Sequence, residues 1–216
     1  MDFDRARRNM VENQLRPNRI EDPRVLAAMG SVPREVFVPA SLKGVAYSDE
    51  DLDLGDGRRL IEPLALARML QAAETRPGDT ALVIGCETGY VAAVLGKLVT
   101  TVFMLTERPG EGEAVERLLA GLGCENVVIQ PGDPRVGLPE LAPFDVILLA
   151  GSVVEAPHHL LEQLAEGGRL VAVTSHGQCG HVTVWRRSGD SFGATRPYDA
   201  WIPPLEALLP QPGFVF

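Results

Sequence analysis

The sequence predicts an α/β protein built on a mostly parallel sheet, with an antiparallel C-terminal end and helices ahead of it. Three observations carry this. Past residue 76, the apolar runs "TALVIG", "TVFMLTE", "NVVIQ", "FDVILLAG" and "RLVAVTS" alternate with the helical stretches "GYVAAVLGKL", "GEAVERLLAGLG" and "HHLLEQLAEGG". Strands apolar on both faces and separated by helices give a parallel sheet covered on both sides. The stretch "ALVIGCETGYVAAVLG", Ala81 to Gly96, reads as buried strand, tight Gly-containing turn and helix. The tail from Gly180, "GHVTVWRRSGDSFGATRPYDAWIPP", reads as two strands joined at "RSGDS", antiparallel to the rest.

Ahead of the sheet, apolar Phe3, Ala6, Met10 and Leu15 with charges between them predict an amphipathic helix over residues 3–16. "DPRVLAAMGSVPREVFVP" predicts a short second helix, capped by Asp22, started by Pro23 and ended by Pro33. Residues 40–61 are Gly-rich and acidic and read as loop with short extended pieces. Pro63 then starts "PLALARMLQAAE", with Leu66, Met69 and Leu70 on its apolar face. No internal repeat or linker interrupts the chain. The expectation is one domain over 1–216: N-terminal helices and a loop to 76, the α/β core over 77–175, and C-terminal strands and tail over 176–216.

A length of 216 residues suits one domain with a good-sized core. Hydrophobic residues at 45% and charged residues at 23% are ordinary for a globular protein, and the formal net charge of −9 argues against nucleic acid or an anionic membrane as partner. Cys86, Cys124 and Cys179 are scattered without metal-ligand spacing, as expected for reduced thiols in the cytoplasm. The first residues lack a signal-peptide core, and no apolar run approaches the ~20 residues of a membrane span.

In an open α/β sheet, ligands sit outside the carboxyl ends of the strands. Gly85 permits a sharp turn there, Gly89 permits close helix–strand packing, and Cys86 and Glu87 lie between them. Glu107 ends the next strand, roughly 20 residues on, where nucleotide-binding proteins place an acid for the ribose hydroxyls. Asp133 follows the strand "NVVIQ" and faces the same crevice, positioned to accept from an exocyclic amine. Asp145 begins a strand and reads as structural.

The segments "RRNMVENQLRP", "DPRVLAAMGSVPREVFVP", "AYSDEDLDLGDGR", "LIEPLALARMLQ", "RPGDTALVIGCETGYVAAVLGKL", "GDPRVGLPELAPFDVILLAG" and "LLEQLAEGGRLVAV" resemble, in order, the protein-L-isoaspartate O-methyltransferases. The resemblance covers the chain to about residue 175. It implies a Rossmann-like methyltransferase fold, S-adenosylmethionine as cofactor, and methyl transfer to the free carboxylate of an L-isoaspartyl residue in a protein or peptide, the first step of protein repair. It places the cofactor on Gly85, Cys86, Glu87, Gly89, Glu107, Gly132 and Asp133.

Two stretches depart from the family pattern. Its glycine loop begins with an acid followed by three alternating glycines; here Val83 and Glu87 stand at the acid and the middle glycine. A Cβ at 87 is expected to restrict the backbone and to occupy space the ligand needs, and its carboxylate either to repel the cofactor carboxylate, weakening or abolishing binding, or to attract the cofactor's cations. The family's substrate loop reads G-H-G-Q-T-I-S-Q-P, and residues 55–63 here read G-D-G-R-R-L-I-E-P. Ile61 stands at the active-site serine, Arg59 at the threonine, Glu62 at the second glutamine and Asp56 at the histidine. Arg58 and Arg59 can pair with a substrate carboxylate or serve as surface charges. Beside repair methylation stand two other expectations: a degenerate binding or interaction module, and a methyltransferase with another acceptor. His158 and His159 read as helix-start residues, His176 and His181 as flanking a turn without a metal set, and Trp185 and Trp201 as packed on the sheet.

Overall fold

A computed structural model describes residues 1–209 other than 56, 108 and 178. Asp56 and residues 210–216, and the side chain of His176, lie outside what it describes.

Helix α1 (Phe3–Asn9) starts at Asp2, whose carboxylate accepts from the Arg5 amide at 2.9 Å. The helix expected to 16 continues with a changed pitch, as a π turn over Met10–Leu15 and a 3-10 turn over Arg16–Asn18. The wider turn brings Met10, Val11 and Leu15 onto one buried face, a spacing that an α pitch would splay. Helix α2 (Pro23–Ser31) matches its sequence signals: Asp22 caps the Arg24 amide at 2.8 Å, and Val32, ahead of Pro33, is already extended.

The stretch read as loop holds a small hairpin, β1 (Leu52–Gly55) against β2 (Arg58–Leu60). Helix α3 (Pro63–Ala72) follows at once and buries Leu66, Met69 and Leu70, the face the sequence predicts.

Among the described residues, seven strands form the main sheet: β3 (Thr80–Ile84), β4 (Thr101–Thr106), β5 (Val127–Pro131), β6 (Phe144–Val153), β7 (Leu164–His176), β8 (Cys179–Ser188) and β9 (Ser191–Asp199). Their order is β5-β4-β3-β6-β7-β8-β9. Strands β3 to β7 pair in parallel; β8 is antiparallel to β7, and β9 to β8, as expected of the tail. Helices α4 (Tyr90–Leu95) and α5 (Pro109–Gly121) connect β3 to β4 and β4 to β5. The chain thus builds outward on one side of β3, then crosses to β6 on the other, which opens a crevice at the carboxyl ends of β3 and β6.

The helix predicted over "HHLLEQLAEGG" is cut short. Helix α6 covers only His158–Leu161, and β7 begins at Leu164. Backbone pairing captures the rest: the Phe144 amide donates to the Gln163 carbonyl at 2.9 Å, and Phe144 stands opposite Leu164. Gly168 then lies so close to this seam that a Cβ would meet the Phe144 carbonyl oxygen at 2.9 Å.

The sheet divides the core. Ala81 and Val83 face the side covered by the N-terminal helices, α3 and α4, whereas Leu82 and Ile84 face the side of α6. Trp185 is buried on the sheet, but Trp201 is 48% exposed, contrary to expectation. It lies past the end of β9, where no strand face remains to cover it.

At the amino end of the sheet, Arg169 of β7 is 3% exposed. Its guanidinium pairs with the Asp79 carboxylate and donates to the carbonyls of Ala73, Glu74 and Asp145. Asp145 also accepts from the Thr80 amide at 2.9 Å, the structural role the sequence suggests. Arg169→Met would leave the buried Asp79 carboxylate without its cation. We expect a loss of about 3–5 kcal/mol, read as a lower urea midpoint with little change in slope; a midpoint at wild type would contradict the role given to this pair.

Candidate active site

The cofactor-loop residues follow β3 directly. Gly85 has φ 82° and Gly89 has φ 85°, both in the left-handed region that glycine allows. They serve different contacts. A Cβ on Gly85 would lie 2.8 Å from Leu205 Cδ1, and one on Gly89 would lie 2.6 Å from Val115 Cγ1 on α5. Gly89 therefore permits helix–helix packing of α4 on α5, rather than the helix–strand packing expected. Glu87 is not among the non-glycine residues with positive φ, which are Arg19 and Glu74. The backbone restriction expected there does not arise; what Glu87 changes is the side chain presented to the cleft.

A cleft of about 650 Å³ opens at the crevice. It is lined by Gly85, Glu87, Glu107, Gly132, Asp133 and Ala150 from the strand ends of the sheet, and by Gly57, Arg58, Arg59 and Ile61 from the hairpin segment. Of the predicted cofactor residues, Cys86 and Gly89 are not in the lining. Cys86 is buried, and burial pushes its thiol up to about 11.

The third wall, Pro203 to Ala207 with Arg135, was not found from sequence. Main-chain bonds place it: the Ser152 amide donates to the Pro203 carbonyl at 2.8 Å, and the Leu205 amide donates to the Ser152 carbonyl at 2.9 Å. Gly151 makes room, since a Cβ there would lie 2.8 Å from Leu205 Cβ. Arg135 Nε ties down the Ala207 carbonyl at 2.9 Å. Asp133 shapes the same turn, accepting from the Arg135 amide at 2.8 Å through one carboxylate oxygen.

The hairpin wall is held by its backbone. Ile61 is 3% exposed, and its carbonyl accepts from Arg34 Nη2 at 2.7 Å. Asp51 accepts from the Glu62 amide at 2.8 Å, and Asp49 from the Leu64 amide at 3.1 Å. Burial, with Asp49 and Asp51 close by, pushes the Glu62 carboxyl up to about 7. On its outer side Glu62 borders a second groove, with Arg68, Cys179, His181, Asp199 and Trp201. His181 pairs with Asp199 at 2.8 Å, and His159 Nε2 lies 3.2 Å from the Pro134 carbonyl.

An open parallel sheet with a glycine turn after its first strand, an acid after the next and a Gly-Asp after the third defines a Rossmann-like protein with its ligand crevice at the carboxyl ends of the strands. The lining is compatible with S-adenosylmethionine: backbone at Gly85 and Gly132 and the acidic residues Glu87, Glu107 and Asp133 border one cleft. The family model of protein-L-isoaspartate(D-aspartate) O-methyltransferase (PCMT) matches residues 5–198. A protein-L-isoaspartate O-methyltransferase of Roseiflexus castenholzii is 40% identical over 205 residues, covering 95% of this chain and 94% of the relative. Among solved structures, a protein-L-isoaspartate O-methyltransferase superposes with a TM-score of 0.77 at 25% identity, over 92% of this chain and 65% of the other. A Plasmodium falciparum protein assigned to the same enzymes, in complex with S-adenosyl-L-homocysteine, gives 0.75 at 20% identity, over 92% and 97%. The chain belongs to the protein-L-isoaspartate O-methyltransferase family of S-adenosylmethionine-dependent enzymes.

Two outcomes follow. Glu107→Ala removes an anionic acceptor from the cleft and should weaken S-adenosylhomocysteine binding roughly ten- to hundredfold; calorimetric affinity equal to wild type would remove Glu107 from the site. Glu62 is raised in the fold, so its contribution to stability is complete below about pH 4.5 and is lost as pH rises through about 7. The melting temperature of Glu62→Gln, relative to wild type, should therefore climb between pH 5 and 8, whereas a constant difference would show that Glu62 does not titrate in this range.

Proposed function

We propose that this chain is a carboxyl O-methyltransferase that uses S-adenosylmethionine and acts on L-isoaspartyl residues of proteins and peptides. The observation that carries the reading is the shared cleft: Gly85, Glu87, Glu107, Gly132 and Asp133 line one opening together with Gly57, Arg58, Arg59 and Ile61. When bound, S-adenosylmethionine supplies a methyl group on a sulfonium. An acceptor carboxyl, with an ordinary pKa near 4, is already ionised at neutral pH and needs no general base. Isoleucine in place of serine at 61 therefore removes a hydrogen bond rather than a proton acceptor. What remains for the protein is placement. Arg58 and Arg59 supply positive charge on the acceptor side, and Ile61 and Leu205 line the cleft with apolar surface that excludes water.

The same two arginines support a second reading, a methyltransferase for a different carboxylate, since they stand where the family loop carries neutral residues. The exposed free thiol of Cys179 accords with a reducing, cytoplasmic setting. Among the described residues no helix is long and apolar enough to cross a membrane.

Incubation with methyl-labelled S-adenosylmethionine and a matched pair of peptides, isoaspartyl and aspartyl, tests the proposal. Base-labile label in the isoaspartyl peptide alone is expected. Replacing both Arg58 and Arg59 by Ala should raise the KM for peptide roughly ten- to hundredfold, the worth of charged hydrogen bonds. Label in neither peptide, with cofactor bound, would overturn the isoaspartyl assignment in favour of another acceptor; no cofactor binding would favour an interaction module.

A further inference from the structure

Arg34 belongs to the "VPRE" stretch, which takes no part in the cleft. Its side chain is nevertheless 0% exposed and is the largest fully buried side chain of the described residues. Burying a guanidinium is costly unless its donors are met. Arg34 meets them in part: Nε and Nη2 each find a carbonyl, a tyrosine ring lies against the guanidinium, and Nη1 has no hydrogen-bond partner among the described residues. Nε donates to the Ala46 carbonyl at 2.6 Å, Nη2 donates to the Ile61 carbonyl at 2.7 Å, and the guanidinium carbon lies 4.9 Å from the centre of the Tyr90 ring. Tyr90 is the first residue of α4, at the end of the cofactor loop. Ile61 lines the acceptor wall. One planar cation therefore spans the two halves of the cleft from behind.

The grip on the acceptor wall is at the backbone. Ile61 has no polar side-chain atom, so the position of residue 61 is fixed by its carbonyl. Asp51 and Asp49 hold the next amides, at Glu62 and Leu64. Arg34 itself is held, its amide donating to the Tyr47 hydroxyl at 3.2 Å while that hydroxyl donates to Glu35. Burial lowers the Arg34 pKa, but its attraction to Tyr90, Tyr47 and Asp51 opposes this, and a guanidinium stays charged.

We infer that Arg34 is a positioning residue: its fork fixes the Ile61 backbone against the cofactor helix and so sets where the acceptor carboxylate sits relative to the methyl group. The inference rests on the carboxyl-methyltransferase reading for its effect on rate, but not for its effect on the loop. Lysine cannot replace it, because a single ammonium on a flexible stem does not reproduce a planar fork reaching two carbonyls.

The test compares wild type with Arg34→Lys and Arg34→Met by hydrogen exchange, S-adenosylhomocysteine titration and steady-state kinetics on the isoaspartyl peptide. Exchange over residues 58–62 should speed by about tenfold or more in both variants, while β3 and β4 stay at wild type. Cofactor affinity should hold, while kcat falls roughly 10- to 100-fold, as expected for a displacement of about 1 Å. A merely structural arginine would loosen the whole chain and leave kcat per folded molecule unchanged; that result, wild-type exchange over 58–62, or full rescue by lysine would overturn the inference. Should Arg34→Met not fold, Arg34→Gln, which keeps one donor, carries the same comparison. If wild type itself fails to methylate the peptide, the functional reading fails, and the exchange measurement still decides the role of Arg34.

Discussion

A parallel strand cannot turn straight back onto its neighbour, and that constraint organises this protein. Strand β3 is buried on both faces between β4 and β6, so its chain must leave the sheet at the carboxyl end and return through α4. β6 starts on the opposite side of β3, so the loops at the ends of β3 and β6 part and leave an opening. Gly85, Glu87, Glu107, Gly132 and Asp133 reach that opening because each lies just past the carboxyl end of a strand, and Ala150 because it lies beyond the last β6 residue paired with β3, Leu149. The α/β core alone makes only half a site. The other walls are brought by the hairpin β1–β2 and by the tail at 203–207, each fixed through its main chain.

That division explains what could be read from the sequence. The sheet, the glycine turn, Glu107 and Asp133 were legible because burial on both faces and strand ends leave a one-dimensional pattern, whereas Gly132 came from the family resemblance. The hairpin residues Arg58, Arg59 and Ile61 came from resemblance to a family loop, not from periodicity. The tail wall was illegible, since backbone hydrogen bonds between Ser152 and Pro203 or Leu205 carry no side-chain code. Small residues at Gly85 and Gly151 were the available signal that something approaches closely there. The short α6 was missed for a related reason: a helical pattern of apolar residues cannot reveal that strand pairing claims Leu164. Trp201 shows the limit of composition, because a large aromatic residue is taken as core until its neighbours are known.

The departures from the family pattern take on definite physical meaning in three dimensions. At position 87 the loop does not require a left-handed residue, so the backbone accommodates glutamate, and its side chain borders the cleft. At position 61 the loss of a hydroxyl leaves an apolar surface on a backbone that remains gripped by Arg34, with Asp51 and Asp49 on the next amides. On the proposed reading, carboxylate methylation asks for orientation and charge rather than proton removal.

The claim on which this account stands is that the cleft with Glu87 in its floor is a working cofactor site. Calorimetric titration of the full-length protein with S-adenosylhomocysteine near pH 7 tests it most directly. Saturable binding with one site per chain and a micromolar dissociation constant is the predicted result. The absence of binding heat, with no change in melting temperature at millimolar ligand, would contradict it and leave the glycine turn as inherited shape without function.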